Sequence, residues 1–315
     1  MTQNLEALTR RTASMDGIRS VVHTMKTLSV INSAPFEHAA RAIEAYHGTV
    51  LEGLHAFLSQ SAPVTDAPPG SAAARVVVAF GSDHGLCGNY NEALAAHVAK
   101  HVRADAGAMT VLCIGAQMQA ALSDQGLDVS KAVLPPASVD GIGRLANLLT
   151  QKLDDIRQAR QGHEIAVSLA YFARAEGGGQ APVIATLLPL DPALVAELGA
   201  KPWVSRSLPY FAMERGELFL ALVRGHLFAS LFRASAEALV TENAARLAMM
   251  QQAEQSVDDR LDALKSDMRV MRQTEITTEL MDIIIGFEAL KKDKKTAAAA
   301  DSSAGEGQAL PPFGA

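Results

Sequence analysis

The sequence contains few cysteines, few aromatic residues and no large excess of charge of either sign. Only two cysteines, Cys87 and Cys113, occur among 315 residues, too few for a disulfide framework, which indicates a reducing compartment. Aromatic residues make up 5% of the chain, with a single tryptophan. Basic residues are not in excess, since the net charge is −6, and this argues against a nucleic-acid-binding protein of the basic-patch type.

Long hydrophobic runs are also missing. The first twenty residues lack the apolar segment of a signal peptide, so no secretory leader is predicted. No charge-free apolar stretch of about 18 residues occurs, so no transmembrane helix is expected. Hydrophobic residues still make up 49% of the chain, which is enough for a large core. Secreted scaffolds, membrane channels and disordered proteins are therefore disfavoured.

The amino-terminal part is predicted to be a helical arm over residues 1–60, followed by a linker at 61–74. Pro35 lacks an N–H group and is expected to kink or break the arm near Ser33. Apolar side chains that recur on one helical face are predicted to form half of a coiled-coil seam: Ile18, Val21, Met25 and Leu28.

A different pattern fills residues 75–205. Short apolar runs, typical of buried strands, alternate with longer helical patterns. This alternation predicts a small Rossmann-like α/β domain. The predicted strands are 75–80, 109–115, 165–174 and 182–190, and helices are predicted at 90–103, after the second strand and at 139–160.

The carboxyl-terminal part is predicted to be one long helix over residues 206–290. No glycine or proline occurs from His226 to Ile285, and a helix over that stretch alone would be about 90 Å long. Apolar residues follow a heptad spacing in two segments, offset by one residue. The predicted seam positions are Val257, Leu261, Leu264, Met268 and Met271, then Ile276, Leu280 and Ile283.

A narrow seam with charged flanks calls for one partner helix, and the amino-terminal arm is the comparable helix in this chain. The predicted fold class is therefore α/β: a long antiparallel coiled coil of the two terminal helices, with the α/β domain inserted between them. Residues 291–315 have no periodicity and are predicted to be a disordered tail.

Motifs for catalysis or ligand binding are weak. The string GIGRLA at 141–146 fits a dinucleotide fingerprint, but it follows a proline-containing segment instead of a strand. His97 and His101 lack the glutamate of H-E-x-x-H and a third ligand, so no metal site is predicted. Cys87 lies three residues after His84, and this spacing alone does not make a catalytic pair. No catalytic residue, cofactor or metal is predicted.

Four motifs, in order, resemble the gamma subunit of F-type ATP synthases. RQTEITTELMDIIIGFEAL at 272–290 matches R-Q-x-x-I-T-x-E-I/L-x-E/D-I-I/V-x-G-x-x-A-L. SDHGLCGNYN at 82–91 is similar to S-D/S-R/Q-G-L-C-G-x-x-N, TENAARLAMM at 241–250 to S-E-H/Q-x-A-R-M-x-A-M, and TLLPL at 186–190 to a strand-ending L-L-P. The resemblance covers about residues 5–290.

The first helix departs from the family pattern. Of that pattern it keeps clearly only Ser14 and Met25, and Asn32 to Pro35 replace the family's basic end. The chain therefore resembles a divergent member, such as one from an alternative F-type ATPase.

The resemblance implies a central rotor shaft that couples ion flow through a membrane ring to ATP synthesis or hydrolysis on partner subunits. It implies no catalysis by this chain itself. The implied partners are the alpha and beta subunits, the epsilon subunit and the c-subunit ring, at the cytoplasmic face of a bacterial inner membrane. The implied contacts with stator and lever segments are Met25, Gly85, Leu86, Cys87, Gly88, Arg272, Gln273, Thr277 and Glu279.

Two other interpretations stay open from sequence. One is a dinucleotide-dependent enzyme with helical arms, and the other is a free-standing coiled-coil scaffold. The enzyme requires nucleotide binding, whereas the scaffold requires that the isolated chain associates with itself.

Overall fold

A computed structural model gives the structure of most of the chain. The described residues are 2–59, 74–104, 109–159, 165–175, 177, 179–207 and 209–304. The predicted linker at 61–74 lies outside them apart from Ala74, as do residues 305–315 of the predicted tail.

Six helices and five strands are present in the described residues, and they form two compact units. Residues 1–22 and 253–315 make up the terminal helix unit, and residues 23–252 make up the sheet unit. The elements are α1 (Thr2–Ser59), β1 (Ala74–Phe80), α2 (Tyr90–Ala104), β2 (Met109–Ile114), α3 (Ala116–Asp124), β3 (Val129–Val133), α4 (Val139–Ala159), β4 (Ile165–Arg174), β5 (Gln180–Leu188), α5 (Pro192–Ala200) and α6 (Arg215–Ala304).

The sheet has the order β3-β2-β1-β4-β5, with β5 antiparallel to β4 and the other neighbours parallel. All four predicted strands are present, which confirms the α/β fold class. Sequence analysis missed β3, whose three central residues are exposed and so give no apolar run. It also missed the short helix α5, which has no fully buried residue.

Helices cover both faces of the sheet. On one face, Val76 and Val78 of β1 pack in a cluster with Leu149 of α4 and Leu231 of α6. On the other face, Val77 packs with residues of α2 and α3 such as Leu94. Strands buried on both faces read as continuous apolar runs, which is why β1 is evident from the sequence.

Helix α1 passes through Pro35 without a break, so the predicted break near Ser33 is wrong, whereas a kink there stays a prediction. A proline in a helix interior costs about 3 kcal/mol. Packing just after it offsets this cost, because Phe36 and Ala40 of α1 are buried against Leu239 of α6.

In the terminal helix unit, α1 and α6 run antiparallel. The Thr12 hydroxyl donates to the Met268 sulfur at 3.3 Å, and the Arg19 Nε donates to Asp258 Oδ1 at 2.5 Å. Ten residues before Thr12, α1 begins at Thr2, so this pairing runs out near Thr278 of α6.

The predicted amino-terminal seam is out of register by one residue. Val21 is 60% exposed whereas Val22 is buried, and Leu28 is 45% exposed whereas Ser29 is buried. Ile18 is also exposed. Polar side chains such as Ser29 occupy positions of the buried stripe, so counting apolar residues alone selects the neighbouring face. Met25, which is half-buried, lies between the two stripes.

On α6 the two predicted seam segments differ. In the first, Val257 and Leu261 are buried, and Leu264, Met268 and Met271 are half-buried. In the second, all the predicted positions are exposed, so that part of the seam is wrong within this chain: Ile276, Leu280 and Ile283. The least exposed stripe instead continues at Glu275 and Thr278 without the predicted offset.

Helix α6 continues to Ala304, so the predicted disorder is wrong for residues 291–304. This segment consists mainly of lysine and alanine, which have high helix propensity. Helix propensity does not depend on apolar periodicity, so the missing periodicity of this segment was a poor indicator of disorder.

One helix among the described residues could cross a membrane by length and composition alone. An 18-residue window of α6 has a mean hydropathy of 1.3, and a third of that window is buried within the protein. The core helix of a soluble protein passes the same test, so the window is weak evidence for a span.

The burial difference along α6 gives a matched stability prediction. Leu261→Ala should lower the free energy of unfolding by about 2–3 kcal/mol, because Leu261 is 3% exposed. Leu280→Ala should change it by less than about 0.5 kcal/mol, because that side chain is 55% exposed. Urea unfolding of the isolated chain measures both. Equal losses would contradict the register of the helix pair.

Two histidines meet between α1 and α6 in the sheet unit. Nε2 of His47 and Nδ1 of His226 are 3.0 Å apart. Burial lowers the pKa of His226 to about 4, with further lowering by His47 and Arg233. Burial and Arg233 also lower the pKa of His47, against a smaller opposing effect of Glu44.

Acid should therefore destabilise the sheet unit through this pair. The folded state holds neutral imidazoles, whereas the unfolded chain binds protons near pH 6.5, so stability falls as the pH drops from about 6.5 toward 4. The melting temperature of His226→Asn should fall less between pH 7.5 and pH 5 than that of the native chain. His38→Asn, at an exposed position of α1, is the control. An identical pH dependence in native chain and His226→Asn would refute the assignment.

Candidate functional site

The glycine-rich turn after β1 is organised by a buried asparagine. The backbone N–H of Ser82 donates to Asn91 Oδ1 at 2.9 Å, and Asn91 Nδ2 donates back to the Ser82 hydroxyl at 2.8 Å. The Ser82 hydroxyl donates to the carbonyl of His84 at 2.9 Å. Asn91 lies in the first turn of α2 and Ser82 follows β1, so these bonds fix the turn between strand and helix.

Cys87 points into the protein instead of toward a substrate. Its side chain is 4% exposed, and Sγ lies 3.5 Å from the Ser82 hydroxyl. Burial raises the pKa of the thiol, so the nucleophilic thiolate is disfavoured. The imidazole of His84 is largely exposed. The predicted contact by Cys87 is therefore wrong for its side chain, and Leu86 is the exposed apolar residue of the turn.

The backbone of the turn adopts left-handed conformations at two positions. Gly88 has φ of 66°, and a Cβ there would lie 3.2 Å from the sulfur of Met249. Leu86 has φ of 68°, which is unusual for a bulky residue. Gly85, by contrast, has open space around it and no such backbone angle.

Helix α6 packs against the carboxyl end of β4 and the start of α2. The Tyr90 hydroxyl donates to the carbonyl of Ala238 at 3.0 Å, and the Thr241 hydroxyl lies 3.2 Å from the carbonyl of Phe172. Arg174 forms an ion pair with Glu237 at 2.8 Å. Burial raises the pKa of Glu237, but its hydrogen bonds and ion pair with Arg174 outweigh burial and lower it overall.

This packing bears on the enzyme interpretation. Doubly wound α/β folds bind ligands at the carboxyl ends of their strands, where the strand order reverses. Here the order reverses between β1 and β4, and side chains of α6 contact the end of β4 and the turn that follows β1. The structure therefore gives no support to a nucleotide site at that edge.

The dinucleotide-like string is part of a helix. Helix α4 begins at Val139, so Gly141 and Gly143 lie within it and not in a strand-to-helix turn. Ile142 and Leu145, between and after them, are buried in the core. In a dinucleotide-binding fold the first glycines form the turn between a strand and the helix, which is not where these two lie.

No metal site is formed by the part of the chain that the structure describes, because it holds no cluster of three or more His, Cys, Asp or Glu side chains suited to an ion. His97 and His101 are half-buried on α2.

The polar string of α6 lies in the terminal helix unit. Arg272, Gln273, Thr277 and Glu279 are exposed, and the Thr277 hydroxyl donates to the carbonyl of Gln273 at 2.8 Å. An open groove of about 650 Å³ borders this string. It is lined by Asp262, Lys265, Met268, Arg269 and Arg272.

Sequence analysis singled out the motifs at 82–91 and 241–250 but not the roles of their polar members. Asn91, Thr241, Glu242 and Arg246 are all buried. Their polar character within an otherwise apolar context is the only sequence signal. The partner of each is set by the tertiary fold, so it could not be read from the chain.

A pair of antiparallel terminal helices with an α/β domain inserted between them in the sequence is the architecture of a coiled-coil shaft protein. Comparison with known proteins gives the family. The model of the ATP synthase family matches residues 4–290, and the chain belongs to that family.

Two similar proteins are both named ATP synthase gamma chain. The ATP synthase gamma chain of Nitratidesulfovibrio vulgaris strain Hildenborough is 27% identical over 287 residues, 87% of this chain and 96% of the relative. The ATP synthase gamma chain of Ruegeria pomeroyi is 25% identical over 298 residues, 91% of this chain and 99% of the relative.

Solved rotors share the fold. The rotor of the Euglena gracilis mitochondrial ATP synthase has a TM-score of 0.59 at 12% identity, covering 88% of this chain and 100% of the other. The central stalk and c-ring structure from Tetrahymena thermophila has a TM-score of 0.51 at 17% identity, covering 74% and 99%. Together with the gamma-chain relatives, this confirms the expected role as a rotor shaft within an ATP synthase.

The turn offers a matched glycine test. Gly88→Val should lower the free energy of unfolding by at least about 1–2 kcal/mol, because valine resists φ of 66°. Gly85→Val should be close to neutral, since nothing lies within 4 Å of its added Cβ.

Cys87→Ser should retain the activity of the assembled complex. A loss of that activity with assembly intact would revive a chemical role for the thiol.

Proposed function

We propose that this chain makes no chemical bonds itself and acts by presenting an asymmetric surface to catalytic subunits around it. A shaft whose faces differ contacts each surrounding subunit differently. Each subunit is then biased toward a different conformation, because a ligand shifts an equilibrium by its differential affinity for the states. Rotation driven by ion flow would move that bias from one subunit to the next.

The observation that carries this proposal is the exposed apolar end of α6. Beyond Thr278, where pairing with α1 runs out, apolar side chains cover most of the circumference of the helix, apart from a strip that holds Glu279 and Asp282. More than half of each is exposed: Leu280, Met281, Ile283, Ile284, Ile285, Phe287 and Leu290. A helix with so broad an exposed apolar surface is suited to burial inside a surrounding protein. A ring of alpha and beta subunits would supply that surrounding.

Hydrogen bonds and ion pairs with the surrounding subunits would come from exposed polar residues that precede or border the apolar end of α6. The turn after β1 would make a further contact. Arg272, Gln273, Thr277 and Glu279 would meet acceptors and donors of the ring, since a guanidinium offers planar donors suited to carboxylates and carbonyls. Met25 and residues 85–88 would lie near the moving levers of the catalytic subunits, with Leu86 as the contacting side chain.

The epsilon subunit and the c-subunit ring are proposed as further partners, because the chain belongs to the ATP synthase family and exposes apolar side chains on its sheet unit. The epsilon subunit and the c-subunit ring would dock on the sheet unit, at the cytoplasmic face of a bacterial inner membrane, without a membrane span by this chain. Exposed apolar side chains at Val204 and Tyr210, which are 93% and 90% exposed, offer docking positions between α5 and α6.

Crosslinking in the assembled complex tests the placement of the turn. Leu86→Cys, paired with a cysteine on the lever of a beta subunit, should form a disulfide on oxidation and stop ATP turnover, and reduction should restore it. Two Cα atoms must come within about 7 Å for this bond. Native Cys87 should not crosslink to the same lever cysteine, because it is buried.

Ala96→Cys, on the exposed side of α2, is the surface control. Co-purification with alpha and beta subunits is the first requirement. An assembled, active complex in which Leu86→Cys crosslinks at no lever position would overturn this placement.

A further inference from the structure

The turn after β1 rests on an ion pair between two residues of the motif at 241–250, for which the proposed lever contact gives no reason. Arg246 and Glu242, one turn apart on α6, are only 9% and 7% exposed. Nη2 of Arg246 lies 2.5 Å from Glu242 Oε1 and 3.4 Å from the backbone carbonyl of His84 in the turn. The guanidinium therefore connects α6 to the turn from beneath.

Burying the Arg246–Glu242 pair carries a desolvation cost that apolar side chains in the same space would not have. Burial raises the pKa of Glu242, and Arg246 opposes that rise. Nε of Arg246 is buried without a hydrogen-bond partner among the described residues. Removing charges from water costs more than packing apolar groups of the same volume, so buried ion pairs are often neutral or worse for stability. Packing alone does not account for an arginine here.

The turn itself needs an external restraint. Leu86 holds φ of 68° with its side chain 57% exposed, so no burial of that side chain compensates for the strained backbone. Left-handed conformations of bulky residues persist where the surroundings enforce them. The carbonyl reached by Arg246 belongs to His84, two residues before Leu86.

We infer that Arg246 is a positioning residue: aligned by Glu242, its guanidinium fixes the turn so that Leu86 projects outward in its strained conformation. The functional consequence rests on the proposed contact between Leu86 and the catalytic subunits. The positioning itself does not depend on any partner, so it can be measured in the isolated full-length chain.

The test replaces the pair by apolar residues of similar size. In Glu242→Leu/Arg246→Met no buried charge is left unpaired, so the melting temperature should stay equal or rise. Backbone amides of residues 83–88 should nevertheless exchange with deuterium roughly tenfold faster, because local opening is no longer restrained. Amides in the middle of α2 should exchange as in the native chain.

Arg246→Lys provides a second variant that keeps the charge pair but lacks the planar fork. It should fold and should show the same faster exchange in the turn. A control change of the exposed pair on α4, Lys152→Gln/Asp155→Asn, should leave turn exchange unaltered.

Unchanged exchange at 83–88 in both stable variants would overturn the positioning role. That result is separate from a failure of the lever contact, which would show as a missing Leu86→Cys crosslink in the complex while exchange in the variants still rises. If both hold, the double variant should also crosslink more slowly through Leu86→Cys.

Discussion

The sheet unit depends on one segment of α6 that is buried on two sides. Leu227 and Leu231 pack into the sheet core, whereas Leu239 and Val240 pack against α1. A helix can serve two neighbours at once only where its side chains are small enough for close approach. Alanines at 229, 234, 236 and 238 are all buried, which meets that condition. The sheet and the helix pair therefore share one element and cannot be altered independently.

The same constraint decides what the α/β domain can do. Because α6 continues past the sheet, its next turns bring Thr241, Glu242, Arg246 and Met249 to the edge where strands β1 and β4 end. An α/β sheet of this order commonly offers that edge to a ligand. Here it receives the protein's own helix, and the turn after β1 is held from below instead of closing over a substrate.

The sequence predicted secondary structure correctly where a pattern is long or where a strand is buried on both faces of the sheet. The stretch from His226 to Ile285 without glycine or proline and the apolar runs of β1, β2 and β4 predict their elements directly. It failed where polarity and burial diverge. Ser29 is buried and Leu28 is exposed, so a hydrophobic count places the seam on the wrong face. Strand β3 is exposed and carries no pattern, and the partners of Asn91 and Arg246 depend on a fold that local sequence does not encode.

The predicted seam positions that are exposed in the structure still form a regular pattern. On α1 the apolar positions Ile18, Val21 and Leu28 keep a heptad-like spacing although they are exposed, and on α6 the positions Ile276, Leu280 and Ile283 do the same. Exposed apolar side chains contribute little to the folding of the chain. A periodic pattern that folding does not use is suited to a partner that folding does not include. The sequence thus carries two superimposed periodicities, one satisfied within the chain and one left exposed on its surface. A rotor shaft needs both, because it must hold its own helices together and still present a structured face to a stator that it turns against.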